Sequence, residues 1–130
     1  MAVTHETAVR NGLADYTVDL IDTGTASPNL GYLEFQTSGD VECATVTFAN
    51  PAFGAASAGT ATANSIASDT NATGGTVAKF AVYDSDGTKL FSGSVTATAT
   101  SPQGDITLSS VTVGASDTVS VSSLTYSAPA

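Results

Sequence analysis

The fold class is decided by residues 76–98, which read TVAKFAVYDSDGTKLFSGSVTAT. Two runs rich in β-branched and aromatic residues, which favour strands, flank a polar stretch of four residues. That stretch, Asp84-Ser85-Asp86-Gly87, has the composition of a type I turn followed by a glycine in the left-handed conformation. The segment therefore predicts a β-hairpin, with Asp84, Asp86 and Gly87 as its turn residues.

The same alternation of short apolar runs and turn signals continues on both sides of the hairpin. About seven short strands at such spacing are typical of a β-sandwich or a jelly roll. We therefore expect a mainly β chain, an antiparallel β-sandwich or jelly-roll-like domain preceded by one N-terminal α-helix. The predicted strands are 32–37, 41–48, 59–66, 76–83, 88–98, 106–113 and 119–126, with a bulge at Ser122-Ser123 in the last of them.

Residues 4–23 have the 3.6-residue period of an amphipathic helix. Thr4 is the predicted N-cap, and Gly24 can end the helix in the left-handed conformation. The expected apolar stripe consists of Val9, Leu13, Tyr16, Thr17, Leu20 and Ile21, with Asp15, Asp19 and Asp22 on the opposite, hydrated side.

The 130 residues fit one domain. Within it we expect residues 1–24 to form an N-terminal helix that packs on, or extends from, the β domain. Residues 25–130 would form the β-sandwich domain itself.

The charge balance excludes several classes of partner. Three Lys and Arg residues stand against twelve Asp and Glu residues, for a net charge of −9. Nucleic acids and anionic membranes are bound by clusters of cations, so we expect neither as a partner. Charged residues make up 12% of the chain, about half the usual share. Because interface cores are poor in charge, this composition favours a homo-oligomer, most simply a trimer.

Cysteine usage and hydropathy point to a reducing compartment. Cys43 is the single cysteine, so no disulfide can form within the chain. Residues 1–15 lack the apolar run of a signal peptide, and no run has the length of a membrane span. We therefore expect synthesis and folding in a cytoplasm, with Cys43 as a buried thiol.

Catalytic and metal-binding patterns do not assemble in this sequence. His5 is the sole histidine, and no nucleophile or second base lies near it. The pattern Asp84-x-Asp86-Gly87 is similar to the start of a calcium loop, but Val95 stands where that loop needs a glutamate. We therefore expect no enzyme, no cofactor and no catalytic or metal-binding residue.

The sequence contains, in this order, the motifs TAVRN at 7–11, ATVTFANPAFG at 44–54, TGGTVAKF at 73–80, DSDG at 84–87, GSV at 93–95, DITL at 105–108 and the run at 119–126. This order of motifs resembles a family of small virion proteins of tailed bacteriophages and prophages. The resemblance implies a structural role, most plausibly that of a capsid cement (decoration) protein on the virion surface, made in the host cytoplasm. The partners implied are the major capsid protein and copies of the protein itself.

The first helix is the candidate interface with the capsid or with neighbouring subunits, through Val9, Arg10, Leu13 and Tyr16. The alternative is a helix that merely covers one open end of the sandwich. Two other functions stay open: a head–tail or tail-tip structural subunit, and a cellular β-sandwich binding module. The absence of tryptophan disfavours a carbohydrate-binding module, since such sites rely on exposed aromatic rings.

Overall fold

The computed structural model describes residues 3–101 and 103–128. Across these ranges one α-helix precedes ten strands, so the mainly β class with an N-terminal helix is confirmed. The helix α1 spans Thr7–Asp19 and continues as a 3-10 helix at Leu20–Asp22. The strands are β1 (Tyr32–Gln36), β2 (Glu42–Phe48), β3 (Thr60–Thr62), β4 (Ile66–Ala67), β5 (Gly75–Thr76), β6 (Lys79–Tyr83), β7 (Lys89–Ala97), β8 (Ile106–Leu108), β9 (Thr112–Val113) and β10 (Thr125–Ser127).

Six of the strands form one curled sheet in the order β4-β2-β1-β6-β7-β8. At its centre β1 pairs antiparallel with both β2 and β6, which places Leu33 opposite Val46 and Val82. Alternate residues of a strand point to opposite faces, so these three share one face. All three are fully buried, and this inner face of the sheet forms the floor of the core.

The predicted hairpin is present as β6 and β7, which pair antiparallel with a bulge between Val82 and Tyr83. Gly87 donates its N–H to the Asp84 carbonyl, which closes the turn. Gly87 has φ of 84°, in the left-handed region, so the expected conformation of this residue is confirmed.

Four of the predicted strands were wrong in extent. Of residues 76–83, Thr76 belongs to β5, which pairs with β9, and β6 begins only at Lys79. Residues 59–66 divide between β3, which pairs with β10, and the start of β4, which joins the main sheet. Residues 106–113 divide into β8 and β9 in the same way. Residues 119–126 are not one bulged strand, because Val119 makes an isolated bridge to Asp69 before β10 begins.

One strand pair departs from the antiparallel expectation, since β8 runs parallel to β7. Parallel neighbours usually need a crossover of a dozen or more residues, but the connection here is only residues 98–105. Polar side chains hold this short return in place. The Asp105 carboxylate accepts hydrogen bonds from the Ser94 backbone N–H and hydroxyl, and Gly104 donates its N–H to the Thr96 hydroxyl.

The buried face of α1 differs from the predicted one. Ala14 and Val18 of α1 lie in the core with 0–1% exposure, whereas Val9, Leu13 and Tyr16 of the expected apolar stripe are exposed. Ile21, in the 3-10 helix, is fully buried, so the stripe was right at that position. The expected cap was also wrong: the helix begins after Glu6 instead of Thr4, and Glu6 makes no side-chain capping bond. The helix lies against β3 and β10, so α1 packs on the β strands and does not extend away from them.

A ladder of polar side chains explains why α1 turns this face inward. The Asn11 amide oxygen accepts the Gly59 N–H at 2.7 Å, and one Asp15 oxygen accepts the Ala56 N–H at 2.7 Å. Asp22 accepts the N–H of buried Ala52 at 3.1 Å. The loop that carries these amides needs the partners because a buried unpaired N–H is costly. The expectation that Asp15 and Asp22 face water was therefore wrong.

Candidate interaction surfaces

The most apolar exposed surface on α1 is formed by Val9, Leu13 and Tyr16, which we call the α1 stripe. Their exposed fractions are 49%, 41% and 62%. The spacing of four and three residues places them on one side of the helix, away from the face that holds Val18. No described element covers them. Exposed apolar groups that are adjacent, rather than scattered singly, are typical of an interaction surface.

Arg10, the fourth predicted interface residue, does not lie with the other three. Its side chain is half-buried beside Gly59, where an added Cβ would lie 2.7 Å from the guanidinium carbon. Its Nε atom is buried and makes no hydrogen bond within the described part of the chain. Arg10 thus packs between the helix and the loop, so the structure separates it from the α1 stripe.

The turn residues at 84–87 have a structural use. Asp84 is buried and accepts the N–H groups of Asp86 and Thr88. Asp86 reaches across to Thr25 and accepts both its N–H and its hydroxyl. The hairpin turn is thereby attached to the connector that follows α1, and both carboxylates are engaged in hydrogen bonds.

Replacing Gly87 with alanine should lower the free energy of unfolding by about 1 kcal/mol, because the left-handed conformation strains any residue with a Cβ. The space itself is free: the added Cβ would meet the Tyr32 hydroxyl at 3.6 Å, an ordinary contact. Chemical denaturation measures the change. Gly87→Asn is the matched control and should cost less, since asparagine tolerates this conformation. An equal loss for both variants would contradict the backbone explanation.

The outer face of the sheet carries a stacked tyrosine pair. The rings of Tyr32 and Tyr83 lie 5.0 Å apart at 13°. Gln36 donates from its amide nitrogen to the Tyr83 hydroxyl and to Glu34. Burial, with a smaller effect of the nearby Glu34 charge, raises the pKa of Tyr32. These contacts give a rigid outer surface, but the hydrogen-bonding groups mainly satisfy one another.

The groups with chemical reactivity are dispersed. Cys43 is a free, buried thiol as expected, and burial raises the pKa of Cys43, which makes it a poor nucleophile near neutral pH. Within residues 3–101 and 103–128 no three His, Cys, Asp or Glu side chains gather where they could hold a metal ion. In those ranges α1 is also too short and too polar to cross a membrane.

The pKa of Asp22 is raised, mainly by burial and secondarily by the Asp19 charge, while the Ala52 hydrogen bond opposes the shift. A carboxyl whose pKa is higher in the folded chain binds more protons there, so stability falls as pH rises from 3.8 through the folded-state pKa. Asp22→Asn keeps an acceptor oxygen without the charge. We expect this variant to be more stable than the wild type at pH 7. The difference in stability should become smaller as the pH falls toward 3.

Thermal unfolding of both proteins across pH 3–7 measures this difference. Asp22→Ala is the control, because it removes the acceptor as well as the charge. It should be destabilised by about 1–3 kcal/mol throughout, since the buried Ala52 N–H loses its partner. If the difference in melting temperature between Asp22→Asn and the wild type did not change with pH, the raised pKa of Asp22 would be contradicted.

A cleft of about 390 Å³ lies between β8 and the C-terminal segment. One wall is residues 106–110, the other is residues 117–124, and Leu33 and Phe35 form part of the floor. We call it the β8 cleft. Asp117 is the one charged residue in its lining, so its surface combines apolar side chains with Ser and Thr hydroxyls.

With this geometry described, the chain was compared with protein-family models, curated proteins and solved structures. None of the three comparisons found a match. The assignment of a function therefore depends on the surfaces themselves, on the α1 stripe and the β8 cleft above all.

Proposed function

We propose that this protein is a non-enzymatic virion structural protein of a tailed bacteriophage, a capsid cement protein that binds and stabilises the head shell. The α1 stripe is the surface that contacts the major capsid protein. The observation that carries the proposal is the exposure of Val9, Leu13 and Tyr16 together on a helix whose opposite face is locked into the core. A folded domain with the exposed α1 stripe on its surface suits permanent attachment to the capsid lattice.

The proposal includes a β-sandwich architecture, in which a second layer of strands covers the main sheet. The pair β3/β10 and the C-terminal segment pack against the inner face of the main sheet, which supports a β-sandwich or jelly-roll-like architecture. Such a body would sit on the capsid surface with its acidic groups toward solvent, consistent with a net charge of −9.

The strength expected of one α1 stripe is modest. Full burial of a Val or Leu side chain stabilises by about 1.5–3 kcal/mol, and these side chains are already half covered. A homotrimer would present three stripes together, so attachment of one would raise the effective concentration of the others. The proposed trimer thus explains how a small contact could hold at low free concentration.

The experiment adds purified protein to particles that lack it and measures occupancy by gel densitometry and heat resistance of the shell. The variant is Val9→Ser/Leu13→Ser/Tyr16→Ser, which changes exposed positions and leaves the core intact. We expect occupancy to fall at least about tenfold, equivalent to about 1.4 kcal/mol. Val41→Ser is the matched control, because Val41 is 61% exposed but lies outside α1.

Salt distinguishes an apolar contact from an ionic one. Wild-type occupancy should change little in about 1 M salt, where the screening length is about 3 Å. Equal occupancy for the triple variant would remove the α1 stripe from the mechanism. Failure of the wild type to bind would reject the cement role and favour a head–tail or tail-tip subunit, or a cellular binding module.

A further inference from the structure

A second cavity, of about 470 Å³, adjoins the β8 cleft and is lined by residues of β6, β7 and β10. Ile106 and Leu124 border both spaces. Three of the five Phe residues and one of the four Tyr residues of the chain line it, so we call it the aromatic cavity. Its volume lies within the range of about 300–1,000 Å³ that is usual for small-molecule sites.

Phe91 and Tyr126 form adjoining walls of this cavity. Their ring centroids lie 5.3 Å apart and their planes are inclined by 50°. Both side chains are half-buried, so part of each ring remains accessible, whereas Phe53 and Phe80 have only 5% and 7% exposure. The face of an aromatic ring carries partial negative charge and attracts cations. Phe91 and Tyr126 are therefore the rings that an occupant would contact.

Asp105 is the one charged residue in the lining of the aromatic cavity. Its Oδ2 atom accepts hydrogen bonds from the Ser94 N–H and hydroxyl, while its Oδ1 atom accepts none from the described residues. A Cβ added at Gly93 would lie 2.7 Å from Asp105 Oδ2 and 2.7 Å from Cε1 of Phe80. The carboxylate therefore lies beside the aromatic lining, and the glycine leaves the space between them open.

Within the described residues, no cation of the chain pairs with the carboxylate in this cavity. The three basic residues are Arg10, Lys79 and Lys89, and none of them lines the cavity. Lys79 pairs with Asp40, and the Arg10 side chain lies beside Gly59. With a net charge of −9, the protein attracts cations from solution.

We propose that the aromatic cavity binds an organic cation, an alkylammonium group on an apolar stem. The charged head lies against the rings of Phe91 and Tyr126, near the Asp105 carboxylate. The apolar stem contacts Ile106 and Leu124. A metal ion would need several oxygen ligands, whereas rings with one carboxylate suit an organic cation. This inference does not depend on the proposed function, because no residue of the α1 stripe lines the cavity.

The test titrates the purified full-length protein with choline and with its neutral carbon analogue, in which a tert-butyl group replaces the trimethylammonium group. Dissociation constants come from NMR chemical-shift changes assigned to individual residues. We expect saturable binding of choline, with shifts centred on Phe91, Ile106 and Tyr126. The neutral analogue should bind about tenfold more weakly, because it loses the attraction both to the rings and to the carboxylate.

Two variants separate the contribution of the ring from that of the carboxylate. Phe91→Leu keeps an apolar side chain without the ring, and Asp105→Asn keeps an acceptor for Ser94 without the charge. Each should weaken choline binding about threefold, the size expected of one contact between a cation and a ring or of one exposed charge pair. Glu6→Gln is the matched control, because it removes one exposed charge outside the cavity and should bind choline as the wild type does.

A second probe, the acetylated amide of lysine, distinguishes the two sources of an alkylammonium group. Tighter binding of this probe than of choline would assign the cavity to a lysine side chain of a partner protein, and the reverse would assign it to a free amine. Equal affinity of the wild type for choline and its neutral analogue would overturn the proposal. The absence of saturable binding, or shifts centred on residues outside the lining, would overturn it as well.

Discussion

Ile21→Ala is expected to lower the free energy of unfolding by about 2–5 kcal/mol, the range for truncating a fully buried aliphatic side chain. Ile21 has 0% exposure and lies beside Gly31, where the chain enters β1. The space around it has little freedom to collapse, because backbone atoms of Gly31 lie close by. Chemical denaturation with a two-state fit measures the loss.

Leu13→Ala is the matched control for this change. It makes a comparable aliphatic truncation on the same helix, but Leu13 is 41% exposed and should lose well under 1.5 kcal/mol. Similar losses at both positions would contradict the orientation of α1. Deletion of residues 1–24 removes Ala14, Val18 and Ile21 together, so the truncated chain should no longer unfold cooperatively.

Gly31→Ala should destabilise the protein by about 3 kcal/mol, at the upper end of the usual cost of overpacking. A Cβ at this position would lie 2.8 Å from the Tyr83 carbonyl oxygen and 2.9 Å from that of Ile21. These two obstacles are backbone atoms, which cannot rotate away, and the Ile21 Cγ2 methyl lies closer still. The connection between α1 and β1 would have to move off the end of β6.

Gly12→Ala is the opposite case and serves as the control. Nothing lies within 4 Å of a Cβ added at Gly12, and alanine is favoured over glycine inside a helix by about 1 kcal/mol. We expect this variant to raise the melting temperature. If Gly31→Ala stabilised the protein, or Gly12→Ala destabilised it, the packing of α1 and the connection to β1 would differ from the structure described.

The parts of the fold that local chemistry specifies could be predicted from the sequence. The turn at 84–87 and the strands around it depend on neighbouring residues, so β6 and β7 were found with small errors at their ends. The central strands β1 and β2 followed for the same reason. The parallel pairing of β8 could not be found, because it depends on the contact between Asp105 and Ser94, which only the folded chain brings about.

The helix shows where a hydrophobic pattern misleads. Leu13 and Tyr16 are larger and more apolar than Ala14, so periodicity alone turned the wrong face toward the core. The decisive groups were polar: Asn11, Asp15 and Asp22 bind amides that no sequence pattern connects with a helix. Of the candidate interface residues, Val9, Leu13 and Tyr16 lie together at the surface, whereas Arg10 packs beside Gly59. Helical spacing could have separated Arg10, because it follows Val9 by one residue and so does not share its side of the helix.

The hydrogen bonds between the helix and the loop at 52–59 limit which substitutions the loop can tolerate. Helix positions 11, 15 and 22 hold the loop through backbone amides, so the identity of the loop side chains matters less than their size. A library of random substitutions should therefore accept only small residues at 52, 56 and 59. At positions 9, 13 and 16 the same library should accept polar residues when selected for solubility. Under the proposed cement role, it should reject them when selected for particle survival.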